Sequence, residues 1–478
     1  MRRLFAVVLA SLLAGCTVGP DHQRPDLTTP AQWRMDPGEA TVSVDTAWWQ
    51  AFDDPVLDRL IDRAVTSNLD LAVAAARIEE FGARVGIVVA GRWPQVGYQG
   101  SAARARLSRE IGAGAVPGTA RTAESFEANL TAAWELDLWG RIARAERAAE
   151  ADFRAQIENR RALVLTLVSA VAETYVQLRS LDAQLAVAEA RLESRRETMA
   201  LFEMQLERGV LSELEVAQLR SELERTAAAV PALERQVALT ENALNVLLGR
   251  PPGPVPRGRA LADLVGPGIP AGLPSDLLTR RPDLRAAEQR LVAATEAIGA
   301  ARAERFPRIS LTGLLGLASA DLDDLLGASA EQSTLAGGVS GPIFTAGRVQ
   351  GAIDAAEAAA AGAEAAYRAA VLTAFREAED ALVVHATTRR ETDAQRRRVE
   401  ALRTYLDFAR MRYDNGYADY LAVLDAERSL FDAELLALQT RADALRALIG
   451  IYKAFGGGWA EFLPNGGDGP AMADPAER

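Results

Sequence analysis

Residues 141–208 read RIARAERAAEADFRAQIENRRALVLTLVSAVAETYVQLRSLDAQLAVAEARLESRRETMALFEMQLER, without a single Gly or Pro. The stretch is rich in strong helix formers, and a helix of this length would span roughly 100 Å at 1.5 Å per residue. Gly209 should end it, and a second helical pattern returns to Leu248, so we predict a long helical hairpin over about 141–248. A three-four spacing of apolar residues, interrupted only at Arg195, is typical of a coiled coil: Leu178, Leu181, Leu185, Ala188, Leu192, Met199, Phe202 and Leu206.

The same hairpin recurs later in the chain. No insertion is needed to align the two copies, and a helical seam at fixed register would tolerate none. We therefore predict a tandem duplication, with a second long helical hairpin over about 348–455. At an offset of 207 residues, Gly140 aligns with Gly347, Gly209 with Gly416, Leu223 with Leu430, and Gly249 with Gly456.

Ahead of each long hairpin the apolar pattern changes to period two, which predicts strands. The strand hairpins are expected over about 93–137 and 307–345, with strands of about ten residues, the length found in membrane β-barrels. The residues ahead of the two strand hairpins align at an offset of 213, for example Asp70 with Asp283. Four strands cannot close a barrel, and lipid does not tolerate an open sheet edge. The chain is therefore expected to oligomerise.

Four aromatic residues flank the predicted strands at one end of the sheet: Trp93, Trp139, Phe306 and Phe344. We interpret them as an aromatic belt at a membrane interface. The alternative is ordinary packing where strands meet helices.

The N-terminus predicts a signal peptide over residues 1–15, with a basic start, a short apolar core and small residues before the cut. Leu13-Ala14-Gly15-Cys16 resembles the bacterial lipobox, in which the cysteine becomes the lipidated first residue of the mature protein. Thr17 stands where lipoproteins kept at the inner membrane usually carry Asp, which favours the outer membrane. The alternative is an ordinary signal peptide with an incidental cysteine. Cys16 is the only cysteine, so no disulfide is expected.

The predicted organisation is a lipid-anchored extended tail over 16–47, a first structural repeat over 48–250, a connector over 251–274, a second repeat over 275–456 and a flexible tail over 457–478. No apolar run after the N-terminus is expected to reach the length of a membrane-spanning helix. The fold class is α+β.

Composition argues against several classes of function. A net charge of −12 is unlike a nucleic-acid-binding protein, which usually has a basic face. The two histidines are His22, in the tail, and His385, which aligns with the seam residue Leu178 and is expected to be packed. No phosphate loop or His/Cys spacing is present. We therefore expect no catalytic residues, no metal site and no cofactor other than a covalent lipid on Cys16.

Several segments together resemble the TolC-type outer-membrane efflux channels, in particular the lipid-anchored, NodT-like branch that serves resistance-nodulation-division pumps. The resemblance covers nearly the whole mature chain, and it lies in residues 16–20, 48–52, 273–278, 280–284, 341–344, 412–416 and 421–426. It implies a homotrimer with a twelve-stranded β-barrel continued by a long periplasmic α-helical barrel. It also implies passive export of small molecules from an inner-membrane pump through a periplasmic adaptor protein.

The two hairpin tips are candidate adaptor-binding sites, because they expose apolar side chains beside a turn glycine: Gly209, Val210, Leu211, Gly416 and Tyr417. The alternative is that the glycines are only helix caps. The resemblance further implies a periplasmic gate at the second tip, formed by Arg412, Tyr413, Asp419 and Asp425.

Asp419 is the first choice for the gate, with Arg412 across the turn offsetting repulsion among three symmetry-related carboxylates. Asp419 and Asp425 would differ in direction by about 120° on one helix, so both need not line the pore. The alternative is that Asp419 only caps the returning helix. An aspartate position seen in some family members is Ala422 here, which implies a gate that is weaker or built differently.

Two other functions fit part of the pattern. A structural coiled-coil lipoprotein of the envelope would explain the helices and Cys16 but not the strand hairpins, and it would not conduct ions in a bilayer. A TolC-like conduit for protein secretion would share the fold. The lipid anchor and the Trp48-Trp49 pair favour small-molecule efflux over it by resemblance alone.

Overall fold

The structure is a computed structural model that describes residues 17–27, 29–30, 32–35, 47–106, 108, 110, 122–269, 274–459 and 462. The expected signal peptide, Cys16 and most of the expected C-terminal tail lie outside the described residues.

Each half of the chain contains short helices, a strand pair and a long helical hairpin. The first half comprises α1 (Pro55–Ser67), α2 (Leu69–Ala90), β1 (Gln95–Arg106), β2 (Thr122–Leu136), α3 (Arg141–Glu207) and α4 (Glu213–Leu247). The second comprises α5 (Leu277–Arg280), α6 (Pro282–Ala303), β3 (Arg308–Ser319), β4 (Glu331–Ser340), α7 (Arg348–Asp414) and α8 (Tyr420–Ala454). α3 and α7 both contain 67 residues and α4 and α8 both contain 35, as a duplication without insertion requires.

A glycine in the left-handed region follows each of the four hairpin helices. φ is +70° at Gly209, +65° at Gly249, +73° at Gly416 and +76° at Gly456. In each case the glycine N–H and the next N–H donate back into the last helical turn, for example from Gly209 to Leu206 and from Val210 to Gln205, both at 2.9 Å. This is the Schellman arrangement, which satisfies carbonyls that would otherwise be unpaired at a helix end.

The predicted apolar seam of α3 lies in the packed interior. Leu185 and Leu206 are partly buried, and the other seam residues are buried. The interruption at Arg195 is also buried, and its guanidinium lies 3.4 Å from the Glu222 carboxylate on α4. The charge is therefore accommodated by an ion pair across the hairpin.

We expected no later apolar run of membrane-spanning length, and this expectation is wrong. By length and composition alone, α3 contains one stretch that could cross a membrane. More than half of that stretch is buried inside the chain. Val164, Val168, Val171 and Tyr175 of α3 pack into the main core. Its length and composition are therefore explained by the core of a helical body.

An aromatic cluster covers the main core where residues 48–52 meet the end of α8 and the residues after it. Trp48 stacks on Tyr452 at 5.4 Å between ring centroids, and Trp49 stacks on Phe462 at 5.3 Å. Trp459 lies beneath the guanidinium of Arg161, 5.3 Å from the ring centroid. Trp459 and Phe462, which belong to the expected tail, therefore bury apolar surface against the body.

The N-terminal segment lies extended along the helices. Arg24 donates to both carboxylate oxygens of Glu288, at 2.7 and 2.6 Å, and the Val18 N–H donates to the Trp139 carbonyl. Arg144 of α3 is 1% exposed at its side chain and pairs with Asp21 of the tail at 3.0 Å and with Glu296 of α6 at 2.9 Å. These contacts fasten the tail to the body.

The strands form one antiparallel sheet in the order β1-β2-β3-β4. Tyr98 pairs with Leu130, and Leu130 pairs with Leu315, so the central pairing joins the two repeats. β1 and β4 are the edges of this sheet and have no further strand beside them in the described chain.

Candidate channel wall, docking tips and gate

The two faces of the sheet differ in polarity. One carries large apolar side chains that are mostly open to solvent in the single chain: Tyr98 is 90% exposed, Val96 74% and Leu315 63%. Such a face is suited to lipid. The opposite face carries polar residues, and Gln332 donates to the Asn129 side-chain oxygen at 2.9 Å across Gly316. A Cβ at Gly316 would lie 2.2 Å from that oxygen, so this polar row needs glycine there.

The four flanking aromatics divide into two pairs. Trp139 stacks on Phe306 at 4.8 Å, and its indole N–H donates to the Pro307 carbonyl at 2.7 Å. For these two, packing at the strand-helix junction accounts for the position. Trp93 and Phe344 are 62% and 87% exposed. Their exposure leaves both available to a membrane interface, and the aromatic belt stays a prediction for these two residues.

The predicted aromatic belt did not include a fifth aromatic residue, Trp134. Its indole N–H donates to the Arg92 carbonyl at 2.8 Å, at the same junction of strands and helices.

The hairpin tips lie at the far ends of the long helices. Val210 is 69% exposed and Tyr417 is 76% exposed, as expected for a partner surface. Leu211 differs from the expectation, because it is partly buried against the apolar cluster that joins the two hairpins. A Cβ at Gly209 or Gly416 would meet no heavy atom within 4 Å, so both turns are open to the surroundings.

The two tips start their return helices differently. At the first, Ser212 and Glu215 form a capping box: the Glu215 N–H donates to Ser212 Oγ at 3.3 Å, and the Ser212 N–H donates to the Glu215 carboxylate at 2.9 Å. The backbone and side-chain hydrogen bonds from Ser212 lower the pKa of Glu215. A capping box satisfies two otherwise unpaired N–H groups of the helix start.

At the second tip the offset of 207 places Asp419 at the Ser212 position and Ala422 at the Glu215 position. Asp419 is the N-cap residue of α8, but its side chain makes no capping hydrogen bond. With Ala at the third helical position, the reciprocal carboxylate of a capping box is missing. The Asp419 carboxylate is therefore not engaged as a cap here.

Arg412 and Tyr413 take other roles in this conformation. Arg412 donates to the Tyr417 carbonyl at 3.3 Å. Within the described chain it forms no ion pair with Asp419, so the expected offset across the turn is not made. Tyr413 is partly buried edge-on against Tyr420 at 5.2 Å, and Tyr420 packs on Phe202 at 4.5 Å. Burial raises the pKa of Tyr413, and this aromatic chain ties the second tip to the first hairpin.

Asp419 and Asp425 line one hollow of about 410 Å³, which also contains Glu222 of α4. The 120° separation expected for a helical pair does not apply, because Asp419 precedes the helix with ψ of +166°. Asp425 pairs with Arg428 at 2.6 Å, and both side chains are nearly half exposed. Of the two aspartates, only Asp419 has no ion pair among the described residues.

Comparison with known proteins identifies a family whose model, described as outer membrane efflux protein, matches residues 60–250 and again 273–457. The two matches coincide with the two structural repeats. The solvent efflux pump outer membrane protein SrpC of Pseudomonas putida is 38% identical over 467 residues, covering 96% of this chain and 98% of SrpC. The cation efflux system protein CusC of Escherichia coli O6:H1 is 35% identical over 463 residues, with 96% and 98% covered.

The fold is also found among solved structures. The crystal structure of the open state of the MtrE outer membrane channel of Neisseria gonorrhoeae superposes with a TM-score of 0.83 and 30% sequence identity. The match covers 93% of this chain and 99% of that one.

Proposed function

Because the chain belongs to the outer membrane efflux protein family, we propose that its second hairpin tip holds a periplasmic gate in which Asp419 supplies the charge. The protein is the outer-membrane channel of a tripartite efflux system, with a periplasmic adaptor and an inner-membrane pump as partners. Its fold class is that of trimers in which twelve strands form a β-barrel continued by a helical barrel.

The observation that supports the gate is the Asp419 carboxylate, which makes no capping hydrogen bond. An N-cap Asp that accepts no N–H bond gives up a contribution of about 1 kcal/mol to helix stability. The equivalent Ser212 keeps that contribution. In a trimer, three Asp419 carboxylates would approach one axis and concentrate negative charge at the tube entrance, which favours cations.

The exposed tips supply the adaptor-binding surface in this proposal. Val210 and Tyr417 present apolar area beside the left-handed glycines, and Leu211 supports the turn from inside. The anchoring role falls to a lipid on Cys16, and no catalytic step is assigned to the chain. The proposed cargo is small molecules, as the names of SrpC, for solvents, and CusC, for cations, suggest.

Leakiness in cells tests the gate. Asp419→Ala would be expressed in bacteria that lack both pump and adaptor, and sensitivity to a large antibiotic normally excluded by the outer membrane would be measured. Increased sensitivity, with Ser212→Ala behaving as wild type, is expected. Equal sensitivity of both variants to wild type would show that Asp419 does not close the channel.

A further inference from the structure

The long helix α3 is packed on two sides, whereas its counterpart α7 is packed on one. Along the half nearest the sheet, α3 lies between α2 of its own repeat and α6 of the next. α7 packs along α6 of its own repeat, but in the described chain it has no comparable packing against α2. The duplication predicts a packing partner on each side of α7 and of α2. Within the described chain, one side of each helix lacks that partner.

The contact seam between α3 and α6 is the model for the contact that the open sides of α7 and α2 lack. Two ion pairs cross it: Arg144 with Glu296 at 2.9 Å, and Glu158 with Arg285 at 2.8 Å. Between them, Ala151 and Ala155 of α3 are buried. The helices run antiparallel, since the lower-numbered residue of α3 meets the higher-numbered residue of α6.

At the offset of 207 residues, the α3 positions of this seam align with a stripe on α7. Each residue of that stripe is Gly or Ala. Its members follow a four-three spacing, and each is exposed in the single chain: Gly351, Ala355, Ala358, Gly362, Ala365 and Ala369. On a helix that spacing places them on one face. Small residues at such positions let two helix backbones approach closely.

At the offset of 213 residues, the α6 positions of the seam align with a face of α2. That face is also exposed in the single chain. Glu296 and Gly299, both buried, correspond to Ala83 and Gly86, both exposed. The same region of α2 exposes large apolar side chains: Val73 is 53% exposed, and Ile87 is 74% exposed. In α6 the position equivalent to Val73 is Ala286, which is 1% exposed.

We infer that the exposed stripe of α7 packs against α2 of the neighbouring copy, in the register that α3 and α6 use within one chain. Gly351 then lies opposite Ala83 of the neighbour, and Ala365 lies opposite Ala72. The inference builds on the trimeric fold and adds the residues at which the copies meet. A small-residue stripe alone would not identify its occupant; the in-chain seam at the same register and the uncovered Val73 and Ile87 do so.

The inferred seam differs in chemistry from the one it copies. Both ion pairs of the in-chain seam are replaced by pairs of small residues, Gly351 with Ala83 and Ala365 with Ala72. The repeats within one chain are thus joined by buried charges, and the copies are joined by close apolar packing. Contacts between copies in this region should therefore be insensitive to salt.

Cross-linking with four single cysteine substitutions tests the register. Gly351→Cys with Ala83→Cys, and Ala365→Cys with Ala72→Cys, should both give covalent trimer with a short bis-maleimide reagent. The exchanged pairs, Gly351→Cys with Ala72→Cys and Ala365→Cys with Ala83→Cys, carry the same substitutions. They should give none, because they are displaced by roughly 16 Å along the helices. Each single variant serves as a background control.

Charge rescue supplies a second measurement that does not depend on cysteines. Ala365→Glu should weaken the trimer by burying an unpaired carboxylate, and adding Ala72→Arg should restore it by recreating the Glu158–Arg285 pair between copies. Ala83→Arg should not restore it. Cross-links confined to one chain would overturn the inference. So would equal cross-linking of matched and exchanged pairs, or rescue by Ala83→Arg alone, even if the protein is a working channel.

Discussion

The guanidinium of Arg144 and the carboxylate of Glu296 lie 2.9 Å apart and join the two repeats inside one chain. Both side chains are nearly inaccessible to solvent, and Arg144 also donates to Asp21 at 3.0 Å and to the Pro20 carbonyl at 3.2 Å. One buried cation therefore holds together α3, α6 and the N-terminal segment. Nothing in the apolar periodicity of α3 marks this residue, because the predicted apolar seam runs only from Leu178 to Leu206.

Arg144→Ala should destabilise the protein strongly. Removing one partner of a buried ion pair leaves an uncompensated charge on Glu296, which costs about 3–5 kcal/mol. Arg154→Ala is the matched control, because its pair with Glu150 is 3.5 Å long and its side chain is 64% exposed, and such a pair contributes about 0–1 kcal/mol. Thermal unfolding followed by circular dichroism measures both. Equal shifts for the two variants would show that Arg144 is not a structural hub.

His385→Leu should stabilise the protein and reduce its sensitivity to acid. His385 aligns with Leu178, and its Nδ1 is buried without a hydrogen-bond partner. Burial, with a smaller contribution from Arg389, lowers the pKa of His385 below its usual value of 6.5. The unfolded chain therefore binds a proton first as the pH falls below about 6.5, and the folded state loses stability there.

The measurement is the apparent melting temperature between pH 7.5 and pH 5. The wild type should lose more stability over this range than His385→Leu, with the difference appearing below pH 6.5. His22→Leu controls for the loss of a histidine as such. Parallel curves for wild type and His385→Leu would contradict the assigned cause.

Gly416→Leu should abolish pump-dependent efflux and leave trimers intact. The substitution meets no steric clash, but it strains a left-handed backbone and alters the exposed tip beside Tyr417. Gly347→Leu is a close control, because Gly347 has φ of +86°, is equally open, and lies at the opposite end of the same helix.

Resistance to a pump substrate and cross-linking to the adaptor are the readouts. Loss of both in Gly416→Leu, with both retained in Gly347→Leu, is the expected result. Normal efflux in Gly416→Leu would remove the tip from the adaptor-binding surface.

Cys16 should be lipidated but not required for folding. The barrel embeds itself through the apolar face of its sheet, so the lipid adds a second anchor rather than the only one. A chain with a non-lipoprotein signal peptide and Cys16→Ser should still yield membrane-embedded trimers, and mass spectrometry of the wild type should find acyl chains on Cys16. Recovery of soluble monomer alone would contradict this.

The sequence predicted the parts of the fold that obey a period. Leu178 and its seam follow the coiled-coil spacing, the residues around Leu130 follow period two, and Gly209 and Gly416 mark the ends of long helices. The fold class and the family follow from these patterns and from the resemblance, and the comparisons confirm both. The assignments of gate, tips and lipid site remain predictions.

What the sequence could not supply depends on contacts between distant, aperiodic segments. The docking of Arg24 on Glu288 leaves no local signal, and the burial of Trp459 and Phe462 follows a Gly-rich stretch that reads as a tail. The cap difference between Ser212 and Asp419 is visible in the sequence, because Glu215 aligns with Ala422 at the offset of 207 residues. The partnership of Arg412 with the Tyr417 carbonyl rather than with Asp419 required coordinates.

Single-channel recording of purified trimer in a planar bilayer tests the central claim most directly. Asp419→Ala should raise conductance and reduce the preference for cations, because it removes three carboxylates from the tube entrance. Ser212→Ala, which removes the functional cap at the equivalent position and costs about 1 kcal/mol, should change neither. Unchanged conductance and selectivity in Asp419→Ala would contradict the account and leave Asp419 as an ordinary residue of the turn.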